Sequence, residues 1–145
     1  MNRLRKYLLL LFLLMLPAAP LRAGEPDGAE FRERLESARM LYNSGAYAAA
    51  EQAFSELAAS IGNTYALRRS ELEAYRVLCA IAMDRVNAEW MVKVFAENYP
   101  TAPELSMVRY ALASRFFDRG EYEKAHDYFE NIKIGRASCR ERVYN

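Results

Sequence analysis

The sequence predicts an all-α chain of stacked helical hairpins, and three observations carry that expectation. A spaced pattern, A-x(6)-G-x-Y-x-x-A-x-x-x-F, occurs twice, from Ala38 and again from Ala113. Between the copies, apolar residues recur at the spacing of a helix face. No alternation of apolar and polar residues runs long enough to compete as a sheet. The two copies lie 75 residues apart at every matched position, room for two units of about 37 residues each.

The elements follow in chain order. Residues 1–23, MNRLRKYLLLLFLLMLPAAPLRA, have the layout of a secretory signal peptide: basic Arg3, Arg5 and Lys6, an apolar run from Tyr7 to Leu16, then a small-residue exit. Leu21 and Ala23 suit cleavage before Gly24. The apolar run makes about 15 Å of helix, short of the about 20 residues that a membrane span needs. Residues 24–29 form a short linker, and residues 30–133 three hairpins, the middle one degenerate. Helices are expected over about 29–43, 46–60, 64–83, 87–98, 103–118 and 121–133.

Each repeated position has a physical task. Gly45 and Gly120 fall where a helix ends, and glycine enters the left-handed conformation there without a Cβ clash. Ala38 with Ala50, and Ala113 with Ala125, are small enough to let antiparallel helices approach. Tyr47 with Phe54, and Tyr122 with Phe129, share a helix face at i and i+7 and close the apolar side of each hairpin. In the middle unit, Leu67, Leu72, Tyr75, Leu78, Ile81 and Ala82 are spaced for one face, and the turn over 84–87 lacks glycine. Asn87 is placed as an N-cap. Thr101 and Glu104 have capping-box spacing, with Pro103 in the first turn.

Residues 134–143, IGRASCRERV, look like an in-frame translation of a common sequencing adapter, so residues 134–145 are expected to be a non-native tail. The three hairpins are then expected to be a truncated array. Helix six leaves Tyr122, Ala125, Phe129 and Ile132 with no following repeat to cover them, as an interrupted stack would. Of the 20 basic side chains, four lie in the leader and three in the tail, and the tail holds one of the 19 acids. Residues 24–133 therefore carry 13 basic and 18 acidic groups, a net of −5. That balance removes the case for nucleic acid, whose binding rests on clustered Lys and Arg. Cys139 belongs to the tail, which leaves Cys79 alone among apolar neighbours, a small hydrophobe with no disulfide partner.

Together, the two A…G-x-Y-x-x-A-x-x-x-F segments and the F-x-x-x-Y-P-T-A-P stretch from Phe95 resemble tetratricopeptide repeats (TPR), most of all those of exported bacterial envelope proteins. The resemblance covers about residues 30–133 and implies an α-solenoid. Two departures stand out: Arg34 occupies the first aromatic position of the consensus, and the second turn is short. The resemblance implies that partners lie along the first helix of each hairpin. By repeat position this puts Arg32, Leu35, Arg39 and Tyr42 of the first unit, and Met107, Tyr110, Ser114 and Phe117 of the third, toward a concave groove. The Lys and Asn pattern that clamps a peptide carboxylate in some members is absent, because Leu35/Arg39 and Tyr110/Ser114 hold its places.

Catalytic signatures are missing from the sequence. His126 is the single histidine, and its neighbour Asp127 does not share its helix face. Ser44 lies outside any G-x-S-x-G context, and no glycine-rich phosphate loop is present. The expectation is a non-enzymatic scaffold, exported to the periplasm or outer-membrane periphery, that binds protein partners. It takes no cofactor, metal, small-molecule substrate or nucleic acid, and meets a membrane only through a partner or an uncleaved leader. Two rival readings are a docking module of a larger enzyme or sensor, and self-assembly through the open face of helix six.

Overall fold

A computed structural model describes residues 28–61 and 65–141, with side chains as far as Ile132. The expected leader lies outside the described residues. The fold is all-α: α1 (Ala29–Asn43), α2 (Tyr47–Ser60), α3 (Ala66–Ala82), α4 (Ala88–Asn98), α5 (Leu105–Asp118) and α6 (Tyr122–Glu141), with no strand among the described residues. Each helix packs on its neighbour in sequence, and α3 also packs on α5.

Three helix ends share one hydrogen-bonded form. After α1, the Gly45 N–H donates to the Tyr42 carbonyl and the Ala46 N–H to the Leu41 carbonyl. After α3, Asp84 donates to Ile81 and Arg85 to Ala80; after α5, Gly120 donates to Phe117 and Glu121 to Phe116. This pair of bonds satisfies carbonyls that a helix end would otherwise leave open, and it needs a left-handed residue at its centre. Gly45 (φ 82°) and Gly120 (φ 78°) supply it as expected. In the middle unit Asp84 takes the same conformation at φ 58°. The glycine-free turn is therefore equivalent to the other two, because aspartate is among the few side chains that tolerate this region.

Three local expectations are corrected. The Thr101–Glu104 capping box does not form: α5 starts at Leu105, Glu104 flanks it without a side-chain cap, and the Leu105 N–H closes a tight turn on the Ala102 carbonyl. Glu104 instead accepts a bond from Ser70 Oγ at 3.3 Å. Likewise, α6 does not stop near residue 133 but runs to Glu141. No proline follows Pro103, and the lone Gly135 costs a helix only about 1 kcal/mol. Asn87 flanks α4 but makes no side-chain cap.

The core has two parts that meet on α3. The first gathers Phe31, Leu35, Ala38, Ala50, Phe54 and Leu57 from the first hairpin with Leu72 and Cys79 of α3. The second joins Ala74, Val77, Leu78 and Ile81 of α3 to Val92, Phe95, Val108, Leu112, Phe116 and Ala125. Helix α3 is thus buried on two sides rather than the one face its spacing suggested, while Leu67 at its start is exposed. Tyr42 and Tyr75 pack against both parts. The four alanines Ala38, Ala50, Ala113 and Ala125 are all buried, where their size lets helices close up.

Polar contacts repeat along the stack. Arg85 makes a two-pronged pair with Glu51 (3.0 and 2.6 Å) across 34 residues. Arg119 pairs with Asp84 across 35, Arg39 with Glu71 across 32, and Ser70 with Glu104 across 34. Each joins one helical pair to the next. Among the described residues no helix is long and apolar enough to cross a membrane.

Candidate functional site

Third-hairpin residues build an open apolar surface. Met107, Tyr110 and Phe117 of α5 are 42%, 60% and 57% exposed, and Tyr122 of α6 is 63% exposed. The α5–α6 pairing turns Tyr110 edge-on to Phe129 (5.7 Å between rings) and Phe117 edge-on to Tyr122 (5.4 Å). A concavity of about 800 Å³ opens between the helices, lined by Met107, Tyr110, Phe129 and Ile132 with Ser106 and His126. Helical geometry explains the arrangement: on α5 the positions 106, 107 and 110 fall on one side, and on α6 so do 126, 129 and 130. The opposite sides are engaged in the core through Val108, Leu112, Phe116 and Ala125.

The rim is acidic. Glu123, Asp127 and Glu130 stand exposed on α6. His126 lies 3.7 Å from Glu130 and 3.9 Å from Asp127. Lys124 is turned to Glu121 at 2.7 Å, and that carboxylate beside it raises the lysine pKa. Its ammonium also sits 5.0 Å from the Phe116 ring centre.

The sequence-placed groove residues divide by hairpin. Of those on α5, Met107, Tyr110 and Phe117 are open and Ser114 is half-buried. On α1, Arg32 is exposed, but Leu35 belongs to the core at 4% exposure, beyond reach of a surface partner. Arg39 is held by Glu36 and Glu71, and those bonds raise its pKa against the opposing effect of burial. Tyr42 is wedged edge-on between Tyr47 and Tyr75, each 5.5 Å away, and burial raises its phenol pKa. The structure therefore gathers Met107 and Tyr110 with Phe129 and Ile132, pairs Phe117 with Tyr122 apart from them, and leaves only Arg32 of the α1 set open. His126, Ser106 and Glu130 were not among the sequence candidates. No sequence signal marks them, because the 75-residue offset maps them onto Glu51, Phe31 and Ser55, none of which the repeat position puts toward the groove.

This surface offers apolar contact area, aromatic edges and negative charge. Among the described residues no group of three His, Cys, Asp or Glu side chains is placed to hold a metal. Cys79 is fully buried, and its thiol pKa is raised to about 11, first by burial and then by Glu51, with Arg85 opposing. Such a thiol is a packing group, not a nucleophile. Comparison of the chain with protein-family models, curated proteins and solved structures gives no match.

Proposed function

We propose that the chain is an exported scaffold of tetratricopeptide-like hairpins that holds a peptide or helix of envelope partner proteins, with no chemistry of its own. The observation that carries this reading is the open α5–α6 groove, where exposed Met107 and Tyr110 meet Phe129 and Ile132. Scattered exposed apolar residues are ordinary, but a contiguous concave set rimmed by charge is the usual form of a docking surface. The solenoid half of the proposal is supported by the three helix ends with one bonding form and by polar contacts recurring at 32 to 35 residues. Export is supported by the basic, apolar and small-residue order of residues 1–23.

Two experiments test the proposal. A C-terminal fusion to alkaline phosphatase, which is active only outside the cytoplasm, is expected to show activity that deletion of residues 1–23 removes. Activity unchanged by the deletion would end the export reading. A photo-crosslinker at Tyr110 is expected to give a discrete adduct in cells, with none from exposed Glu33. Equal yields from both positions would remove the groove from the proposal.

A further inference from the structure

The three left-handed residues align the hairpins position by position. The Gly45, Asp84 and Gly120 N–H groups donate to the carbonyls of Tyr42, Ile81 and Phe117, three residues back in each case. Two residues beyond them stand Tyr47, Val86 and Tyr122. In the outer hairpins these two positions hold an edge-on aromatic pair, Tyr42 with Tyr47 (5.5 Å, 64°) and Phe117 with Tyr122 (5.4 Å, 65°). The middle hairpin has neither ring. Val86 there is fully exposed, and both Ile81 and Val86 line a cleft of about 380 Å³ between the second and third hairpins. Leu112 and Phe116 of α5 add to its apolar lining. The cleft therefore lies where the outer hairpins place an aromatic pair, between hairpins and not on the open side of α6.

The rest of the lining is charged, and the charges do not balance. Arg85 is taken by Glu51 (3.0 and 2.6 Å), and Glu89 by Lys93 at 2.9 Å. That leaves three cations, Arg115, Arg119 and Lys124, on two carboxylates. Asp84 accepts from Arg119 and has Arg115 at 3.4 Å, while Glu121 has Lys124 at 2.7 Å and Arg119 at 3.8 Å. The lining thus carries one surplus positive charge in a chain whose hairpins are net acidic. Arg115 is the most loosely held of the three: its buried Nε makes no hydrogen bond, and its Nη2 reaches the Ala82 carbonyl only at 3.5 Å. We propose that this cleft binds a small monocarboxylate carrying an aromatic ring. The ring rests on Leu112 and Phe116 in place of the missing pair, and the carboxylate takes the guanidinium of Arg115. A guanidinium offers a carboxylate a fork of charge-assisted donors, and the volume falls in the about 300–1,000 Å³ of ordinary ligand pockets. The cleft is separate from the third-hairpin groove, so its ligand and the scaffold reading stand or fall independently.

Calorimetric titration of the intact chain with benzoate, benzyl alcohol and acetate tests this. Benzoate is expected to bind saturably with a Kd of about 1 mM or below, and more weakly at high salt. Benzyl alcohol lacks the charge and acetate lacks the ring, so each should bind about tenfold more weakly or worse. Arg115→Gln should weaken benzoate about tenfold. Asp84→Asn keeps a side chain that tolerates the left-handed turn and releases Arg115 and Arg119, so it should tighten binding. Val86→Tyr restores the ring of the outer hairpins and should abolish binding, with the circular dichroism of the parent retained because Val86 is fully exposed. Should Arg115→Gln lose its fold, Val86→Tyr decides alone. Benzoate affinity that Val86→Tyr leaves unchanged would overturn the inference, as would a folded Arg115→Gln that binds like the parent. Acetate binding as tightly as benzoate would overturn it too, since the space for a ring would then play no part. So would the absence of saturable benzoate binding up to about 10 mM, well above the expected Kd.

Discussion

Asp84 carries two tasks that separate substitutions can pull apart. It occupies the left-handed position of its turn and accepts from Arg119, with Arg115 at 3.4 Å. Replacing it by glycine relieves about 1 kcal/mol of backbone strain and removes exposed ion pairs worth at most about 1 kcal/mol. Asp84→Gly is therefore expected to leave denaturant stability within about 0.5 kcal/mol of the parent. Asp84→Val adds β-branching at positive φ and should cost about 2 kcal/mol or more. Equal stabilities for the two variants would show that the turn does not depend on this conformation. Cys79 gives a second residue-scale test. Its folded pKa of about 11 lies above the ordinary 9.0, so the native state holds the proton more tightly than the unfolded chain. The stabilisation is complete below pH 9 and is lost as pH rises toward 11, so Cys79→Ala should make the fall in stability over this range shallower, the raised Tyr42 phenol keeping a share of it above pH 10. In the native state the thiol should resist maleimide, and labelling as fast as in denaturant would contradict its burial. Sequence reading placed Cys79 correctly from its apolar neighbours but passed over Asp84, because no composition rule marks an aspartate that stands in for glycine.

At the scale of elements, the start of α5 and the end of the same helix make opposite predictions. Thr101 does not cap α5, so Thr101→Ala should change stability by less than about 0.5 kcal/mol. A cost near the about 1 kcal/mol of a lost N-cap would restore the capping box. At the other end, a Cβ on Gly120 would meet nothing within 4 Å, so only its backbone is constrained. Gly120→Ala should cost about 1 kcal/mol from that constraint alone. Helix positions were largely legible in the sequence because apolar period and punctuation agree over most of the chain. The exceptions have physical causes. A T-x-x-E spacing supplies capping chemistry, yet Glu104 is taken by Ser70, a residue 34 positions away that no local pattern reveals. The continuation of α6 past residue 133 follows from the absence of any stop signal stronger than one glycine. For α3, a single-face reading failed because burial on two sides depends on neighbours before and after it. The same blindness split the groove residues: Leu35 and Tyr110 hold equivalent positions, and only the presence of α3 makes one core and the other surface.

Across the whole molecule, the two core parts are joined through Tyr42 and Tyr75, which touch both. Trp90, the single tryptophan, reports from α4, while the Cys79 thiol reports from the first part of the core. In the parent chain, tryptophan fluorescence and thiol exposure are expected to change together on denaturation, as one cooperative transition. Tyr75→Ala should lower stability by about 2 kcal/mol from lost burial and draw the two curves apart, the thiol opening at lower denaturant. Curves that stay coincident in the variant would place the coupling elsewhere. The polar contacts at 32 to 35 residues have a further consequence. Those bonds close over roughly one hairpin's length of chain, so loop closure costs little at each step. Such a polypeptide, emerging end-first from a narrow exit, can set each hairpin on the last as it appears. Contacts this short in sequence let each hairpin settle on the last without a search for distant partners.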